Sequence, residues 1–168
     1  MPIGLEAITY PMTKTLVQRL GLATVPLAMD NEGVVPEALV RAYETGVRVV
    51  YLQPTLHNPL GMTMGETRRY EIAVLLKRHG MIAIEDQVYG FLAAGGPLPL
   101  AVMAPENVVL VDSFSKRGFS GLSAGILGTA SSALRERLAA SLREGAWLAS
   151  PVTLAVLSSL LEMGALVG

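Results

Sequence analysis

Lys116 is one of only three lysines in this chain of 168 residues, and it stands in FSKRG, directly after the apolar run VVLVDS. Lys77 precedes Arg78 in LLKRHG and reads as the solvated end of a helix. Two further apolar runs end in polar loops of the same kind, with Asn58 in PTLHNPLG and the pair Asp86 and Tyr89 in EDQVYG, while Ser113 and Ser115 precede Lys116 in its own loop. A carboxylate, a phenol, an amide, two hydroxyls and an amine make a plausible set for one polar pocket. A lysine amine condenses with an aldehyde, and pyridoxal 5'-phosphate (PLP) is the commonest aldehyde cofactor held in this way. Its pyridine nitrogen calls for a buried carboxylate, its phenolic oxygen for hydroxyl and amide donors, and its phosphate for hydroxyls, backbone N–H groups and an arginine. Asp86, Tyr89, Asn58, Lys116 and Ser113 fit those roles in turn. A pocket that partly desolvates Lys116 would favour its neutral, nucleophilic amine.

For these loops to meet, the runs before them must be neighbouring strands. The chain alternates in a way that allows this. IGLEAIT is a short extended run, and MTKTLVQRLG places Leu16, Val17 and Leu20 at helical spacing before Gly21. ATVPLAMD reads as a strand that Pro26 demotes to a sheet edge. PEALVRAYETG is a short helix, with Pro36 at its first position and Gly46 at its stop. VRVVYLQ, MIAIED and NVVLVDS read as buried strands, and SAGILGTA as a further one. TMGETRRYEIAVLLKRHG carries the best helix signature, with Thr63 and Glu66 at capping-box spacing, Leu75 and Leu76 on its apolar face and Gly80 at its end. Two more helices, SSALRERLAASLREG and SPVTLAVLSSLLEMG, close the chain. Strands too apolar to have a wet face, alternating with helices, predict a three-layer α/β/α domain with a mostly parallel sheet. In such sheets ligands collect at the carboxyl ends of the strands, which is where the polar loops lie.

Composition bounds the rest. Half of the residues are hydrophobic (51%) and only 16% are charged, as in a chain with a large buried fraction. A formal charge of -1 gives no electrostatic footprint for nucleic acid, and no basic run or long apolar stretch suggests a membrane. With no cysteine there is no disulfide framework or thiolate metal site, and the two histidines, His57 and His79, have no ligand spacing to carboxylates. The expectation is a soluble, cytoplasmic protein with no metal.

Four motifs in order resemble the fold-type I PLP-dependent enzymes, specifically the class I/II aminotransferases. EAITYP is similar to the segment whose aromatic residue, here Tyr10, stacks on the cofactor ring. HNPLG resembles Asn-Pro-x-Gly, EDQVYG resembles Asp-x-x-Tyr, and SFSK matches Ser-x-x-Lys. The resemblance implies Asn58 and Tyr89 at the ring oxygen, Asp86 at the pyridine nitrogen, Ser113 with Ser115 at the phosphate, and Lys116 as the Schiff-base lysine. It implies amino-group transfer between an amino acid and a 2-oxo acid, with Lys116 shuttling the α-proton, and a homodimer that builds each site at its interface. HNPLGMTMGETRR is also similar to MocR-type (GntR family) transcriptional regulators, in which such a domain follows a winged helix.

This sequence departs from the family pattern at GLSAG, where Ser123 replaces the arginine that grips the cofactor phosphate. The segments before Tyr10 that carry the family's Gly-rich phosphate loop, and the small domain with its substrate-carboxylate arginine, have no counterpart in residues 1–168. The resemblance therefore implies one large-domain fragment, with six of the usual seven strands. Its phosphate anchoring is weakened, since Arg117 adjoins Lys116 without inheriting the direction of the missing arginine. Two functions of different class follow: an aminotransferase, or a non-catalytic ligand-sensing module with a degenerate PLP site. Plainer readings stand beside these. Lys116 alone suits a solvated loop, Asp86 a turn cap, Tyr10 a half-buried aromatic, Arg68 and Arg69 a solvated helix face, and Trp147 ordinary packing.

Overall fold

The computed structural model describes residues 1–117, 121–145 and 149–164. In chain order the elements are β1 (Ile3–Glu6), α1 (Pro11–Arg19), β2 (Thr24–Leu27), β3 (Met29–Asp30), β4 (Gly33–Val34), α2 (Pro36–Glu44), β5 (Val49–Leu52), α3 (Glu66–His79), β6 (Ile82–Asp86), α4 (Leu100–Met103), β7 (Val108–Ser113), β8 (Gly125–Gly128), α5 (Ser132–Glu144) and α6 (Pro151–Glu162). The expected alternation is what forms: a six-stranded sheet in the order β2-β1-β5-β6-β7-β8. Its first five strands are parallel, and only β8 runs antiparallel, against β7 at the far edge. β2 is the other edge, where Pro26 costs no ladder hydrogen bond. β3 and β4 form a separate antiparallel hairpin that sequence reading folded into its neighbours.

Side chains alternate across the sheet, and the two faces differ. Val50, Leu52 and Ala83 face the larger core, where Leu39 and Ala42 of α2 and Ile72 and Leu76 of α3 pack on them. Gly4 of β1 lies on that face, and a Cβ there would sit 2.9 Å from Val50 Cγ1, so only glycine lets the strand pack so closely. The opposite face carries a smaller cluster of Ile3, Leu5 and Val17, with Val49 and Tyr51 against it. Of the apolar residues expected to line α1, only Val17 is buried. Leu16 and Leu20 are exposed, because this nine-residue helix sets just one side chain into so small a cluster.

The start of α3 also differs from expectation. Its N-cap is Gly65, which makes no side-chain cap, and Thr63 lies outside the helix. The loop before α3 is pinned back on itself, with Met64 N donating to the Pro54 carbonyl at 2.8 Å and His57 N to that of Met62. The Thr63 hydroxyl is used there, accepting from Leu56 N at 3.1 Å. The helix ends as read, at Gly80 in the left-handed conformation (φ 60).

Arg69 is the largest correction. It does not sit on a solvated face but is fully buried. Its guanidinium donates to the carbonyls of Met64 and Pro54 and to Thr55 Oγ1, each at 2.9 Å, and reaches Leu98 O at 3.4 Å. Glu85, also fully buried, lies 3.8 Å away and accepts from Leu100 N and Ala101 N at the start of α4. Arg68, next in sequence, bridges to Asp30, Glu32 and Glu71, all well exposed. Trp147 lies outside the described residues. No helix among the described residues is long and apolar enough to cross a membrane.

The two arginines should behave differently. Arg69→Ala strands Glu85 and three loop carbonyls in the interior, so a loss of about 3–5 kcal/mol is expected in denaturant unfolding. Arg68→Ala should cost less, about 1–2 kcal/mol, since its acidic partners are exposed although its guanidinium also donates to the Val34 carbonyl. Equal, small losses for both variants would contradict this reading of the core.

Candidate functional site

The parallel order sets the carboxyl ends of β1, β5, β6 and β7 side by side. The loop after β1 leads through Thr9 to Tyr10, at the start of α1. The loop after β5 carries Gln53 and Asn58, that after β6 carries Val88 and Tyr89, and β7 ends in Ser113 with Lys116 in the loop that follows. These residues, with Asp86 at the end of β6, line one cavity of about 200 Å³. The structure thus brings Tyr10, Asn58, Asp86, Tyr89, Ser113 and Lys116 together. Ser115 does not line the cavity, but its Oγ is 2.6 Å from that of Ser113.

Each polar group is held by local structure. Asp86 Oδ1 accepts from Val88 N at 3.0 Å, so the turn-capping role is real and coexists with the place in the cavity. Its Oδ2 accepts from the Tyr51 hydroxyl. Burial, and then the charge of Asp86, push the Tyr51 phenol well above its ordinary range, so it remains a donor. The Lys116 ammonium lies 6.0 Å from the centre of the Tyr89 ring, at the outer limit for a cation–π contact. Asn58 is positioned through its backbone, whose N–H donates to Gln53 Oε1 at 2.9 Å, while Gln53 N donates to Glu6 Oε2 at 2.9 Å.

Sequence reading missed Gln53, Glu6 and Tyr51. Gln53 had a signal, as the polar residue that ends an otherwise apolar strand. Glu6 and Tyr51 gave none, since each sits inside a strand and finds its partner only through pairing. His57 Nε2 lies 3.3 Å from Glu6 Oε2, both buried, although the two are remote in sequence. The described residues hold no group of three or more side chains fit to bind a metal.

Two features limit the pocket. Lys116 is exposed, and Tyr10 is 42% exposed, so the surroundings do not desolvate the amine as expected. Beside Ser113 and Lys116, Arg117 turns away to pair with Asp112 at 2.6 Å and to stack over Phe91. Ser123 is exposed, but the next residue runs beside Ser113, with the Ala124 carbonyl accepting from Phe114 N at 3.1 Å.

The family described as aminotransferase class I and II matches residues 2–165. The aminotransferase swnA of Metarhizium robertsii is 37% identical over 138 residues, which span 73% of this chain and 28% of that protein. The uncharacterized HTH-type transcriptional regulator YdeF of Bacillus subtilis is 35% identical over 122 residues, 71% of this chain and 26% of its own. Among solved structures, the alpha-aminoadipate aminotransferase LysN of Thermus thermophilus, complexed with N-(5'-phosphopyridoxyl)-L-leucine, superposes with a TM-score of 0.83 at 26% identity, covering 97% of this chain and 43% of that one. The chain thus spans under a third of these curated relatives and under half of the solved one.

The support beneath Asn58 is testable without any ligand. Gln53→Ala removes the acceptor for the Asn58 N–H, so the Asn58 amide should exchange with solvent faster and stability should fall by about 1–3 kcal/mol. Unchanged exchange in Gln53→Ala would contradict the arrangement.

Proposed function

The chain belongs to the class I and II aminotransferases, and from that membership we propose that it holds PLP at the strand-end cavity, with Lys116 as its covalent anchor, for amino-group transfer between an amino acid and a 2-oxo acid. The observation that carries this reading is the convergence of an amine, a carboxylate, an amide and a phenol from four neighbouring loops on one cavity. The donor set suits the ring end of the cofactor. Asp86 offers an anion to the protonated pyridine nitrogen, Asn58 and Tyr89 offer donors to the ring oxygen, and Tyr10 offers an aromatic face. When bound, PLP supplies an electron sink for the bonds at the substrate's α-carbon. Lys116 Nζ is then the group in reach to take a proton from that carbon and return it.

The phosphate end fits less well. Ser113 and Ser115 supply hydroxyls, Arg117 is committed to Asp112, and Ser123 stands where the family pattern carries an arginine. Missing one charge-assisted contact costs about 1.5–3 kcal/mol, roughly ten- to a hundredfold in affinity. The cavity of about 200 Å³ is also smaller than the roughly 300–1,000 Å³ usual for ligand sites. The rest of the site then comes from a second copy of the chain. The exposed Val152, Leu154, Val156 and Leu161 on α6, and Ile126 and Leu127 on β8, are apolar surface suited to such association. The same weak phosphate end, together with the likeness to YdeF, favours a second reading. In it the site senses its ligand in a cytoplasmic regulator and does not turn it over.

Adding PLP, reducing with borohydride and mapping the adduct by mass spectrometry tests the proposal. The expected result is weak binding with label on Lys116, lost in Lys116→Ala, and little or no transamination by this chain alone. Ser123→Arg should tighten PLP binding by about tenfold or more. Label that persists unchanged in Lys116→Ala would contradict the assignment, and rapid turnover of any amino acid would contradict the weakened site.

A further inference from the structure

Tyr51 touches the site without lining it. It lies in the middle of the sheet, on β5, with its ring packed against Ile3, Leu5 and Val17 on the smaller face. In the parallel register, Tyr51 pairs with Ile84 of β6, which places Tyr51 and Asp86 on the same face, two residues apart along the neighbouring strand. Its hydroxyl crosses that step to donate to Asp86 Oδ2, while Val88 N holds Oδ1. The Thr13 side chain, in the first turn of α1, lies beside the same phenol. Asp86 is therefore gripped at both oxygens from behind, with its remaining acceptor capacity turned to the cavity it lines.

We propose that Tyr51 is a positioning residue for the cofactor site, which fixes the rotamer of Asp86 so that its free acceptor capacity is presented to the cavity. This rests on the reading of the cavity as a PLP site. Several groups could make the phenol something else. Glu6 and Asp86 are the carboxylates facing it, and both oppose its ionisation, so it does not serve as an anion or a base. It does not line the cavity, so it does not touch substrate. What remains is donation to Asp86. A carboxylate that loses one of its two donors is freer to rotate, and that weakens its hold on a ring nitrogen. The role also ties the site to the small core cluster, because the ring that carries the hydroxyl is clamped by β1 and α1.

Tyr51→Phe tests this, since it keeps the ring and deletes only the hydroxyl. In the ligand-free protein, thermal unfolding of Tyr51→Phe, Asp86→Ala and the double variant should show non-additive losses, whereas additive losses would overturn the contact itself. With PLP, Tyr51→Phe should bind about tenfold more weakly than wild type, and the pH midpoint of the visible absorption band should move, which a packing change alone would not produce. Wild type that takes label on Lys116, beside a Tyr51→Phe variant with unchanged affinity and an unmoved midpoint, would overturn this inference alone. Wild type that takes no label would overturn the PLP reading itself, and this inference with it.

Discussion

Parallel pairing is the constraint on which the rest of the structure depends. Two parallel strands cannot be joined by a tight turn, so each return passes through a crossover and every strand leaves the sheet at the same edge. With β1, β5, β6 and β7 adjacent, their four departing loops have to begin beside one another. Tyr10, Asn58, Asp86 and Lys116 are spread over more than a hundred positions of sequence, yet they meet because each stands at or shortly after the carboxyl end of its strand. The antiparallel β8 closes the far edge and carries the Ser123–Ala124 segment back alongside Ser113, at the end of the site where a phosphate would lie.

A parallel sheet buries both of its faces, and that raises the cost of any polar group it contains. The chain meets this with two buried networks beneath the site. On the larger face, Arg69, Glu85, Gln87 and Thr55 satisfy one another and tie down the carbonyls of Pro54, Met64 and Leu98, so the loops after β5 and β6 share one anchor. At the ends of β1 and β5, Glu6 accepts from Gln53 and Gln53 from Asn58, carrying support from the sheet into the loop. The second network is less complete. Glu6 Oε1, Thr9 Oγ1 and both His57 nitrogens are buried without a hydrogen-bond partner among the described residues. Removing any one of the paired groups would leave its neighbour stranded in the interior.

Much of the fold and the outline of the site were legible in the sequence, for local reasons. β-branched runs ending in polar loops marked the strands and their carboxyl ends, Pro26 marked an edge, and Gly80 marked a helix stop. What failed were judgements that took a residue's type for its surroundings. Arg69 was assigned to solvent because it is an arginine, although 69, 72, 73 and 76 are one helical stripe and its companions Ile72, Ala73 and Leu76 are buried. Thr63 had the spacing of a cap, but tertiary hydrogen bonds to the preceding loop claimed it first. Tyr51 and Glu6 acquire their partners only from strand register, which no local pattern contains. Lys116 was read correctly as a strand-end residue, but its exposure is set by tertiary surroundings that no local pattern contains.

The central claim is that Lys116 and Asp86 address two ends of one bound ring. A crystal structure of the borohydride-reduced protein after incubation with PLP tests this most directly. The account predicts continuous density from Lys116 Nζ into the ring, with the ring nitrogen about 3 Å from an Asp86 carboxylate oxygen. Density on Lys14 or Lys77, or a ring whose nitrogen lies out of contact with Asp86, would contradict it.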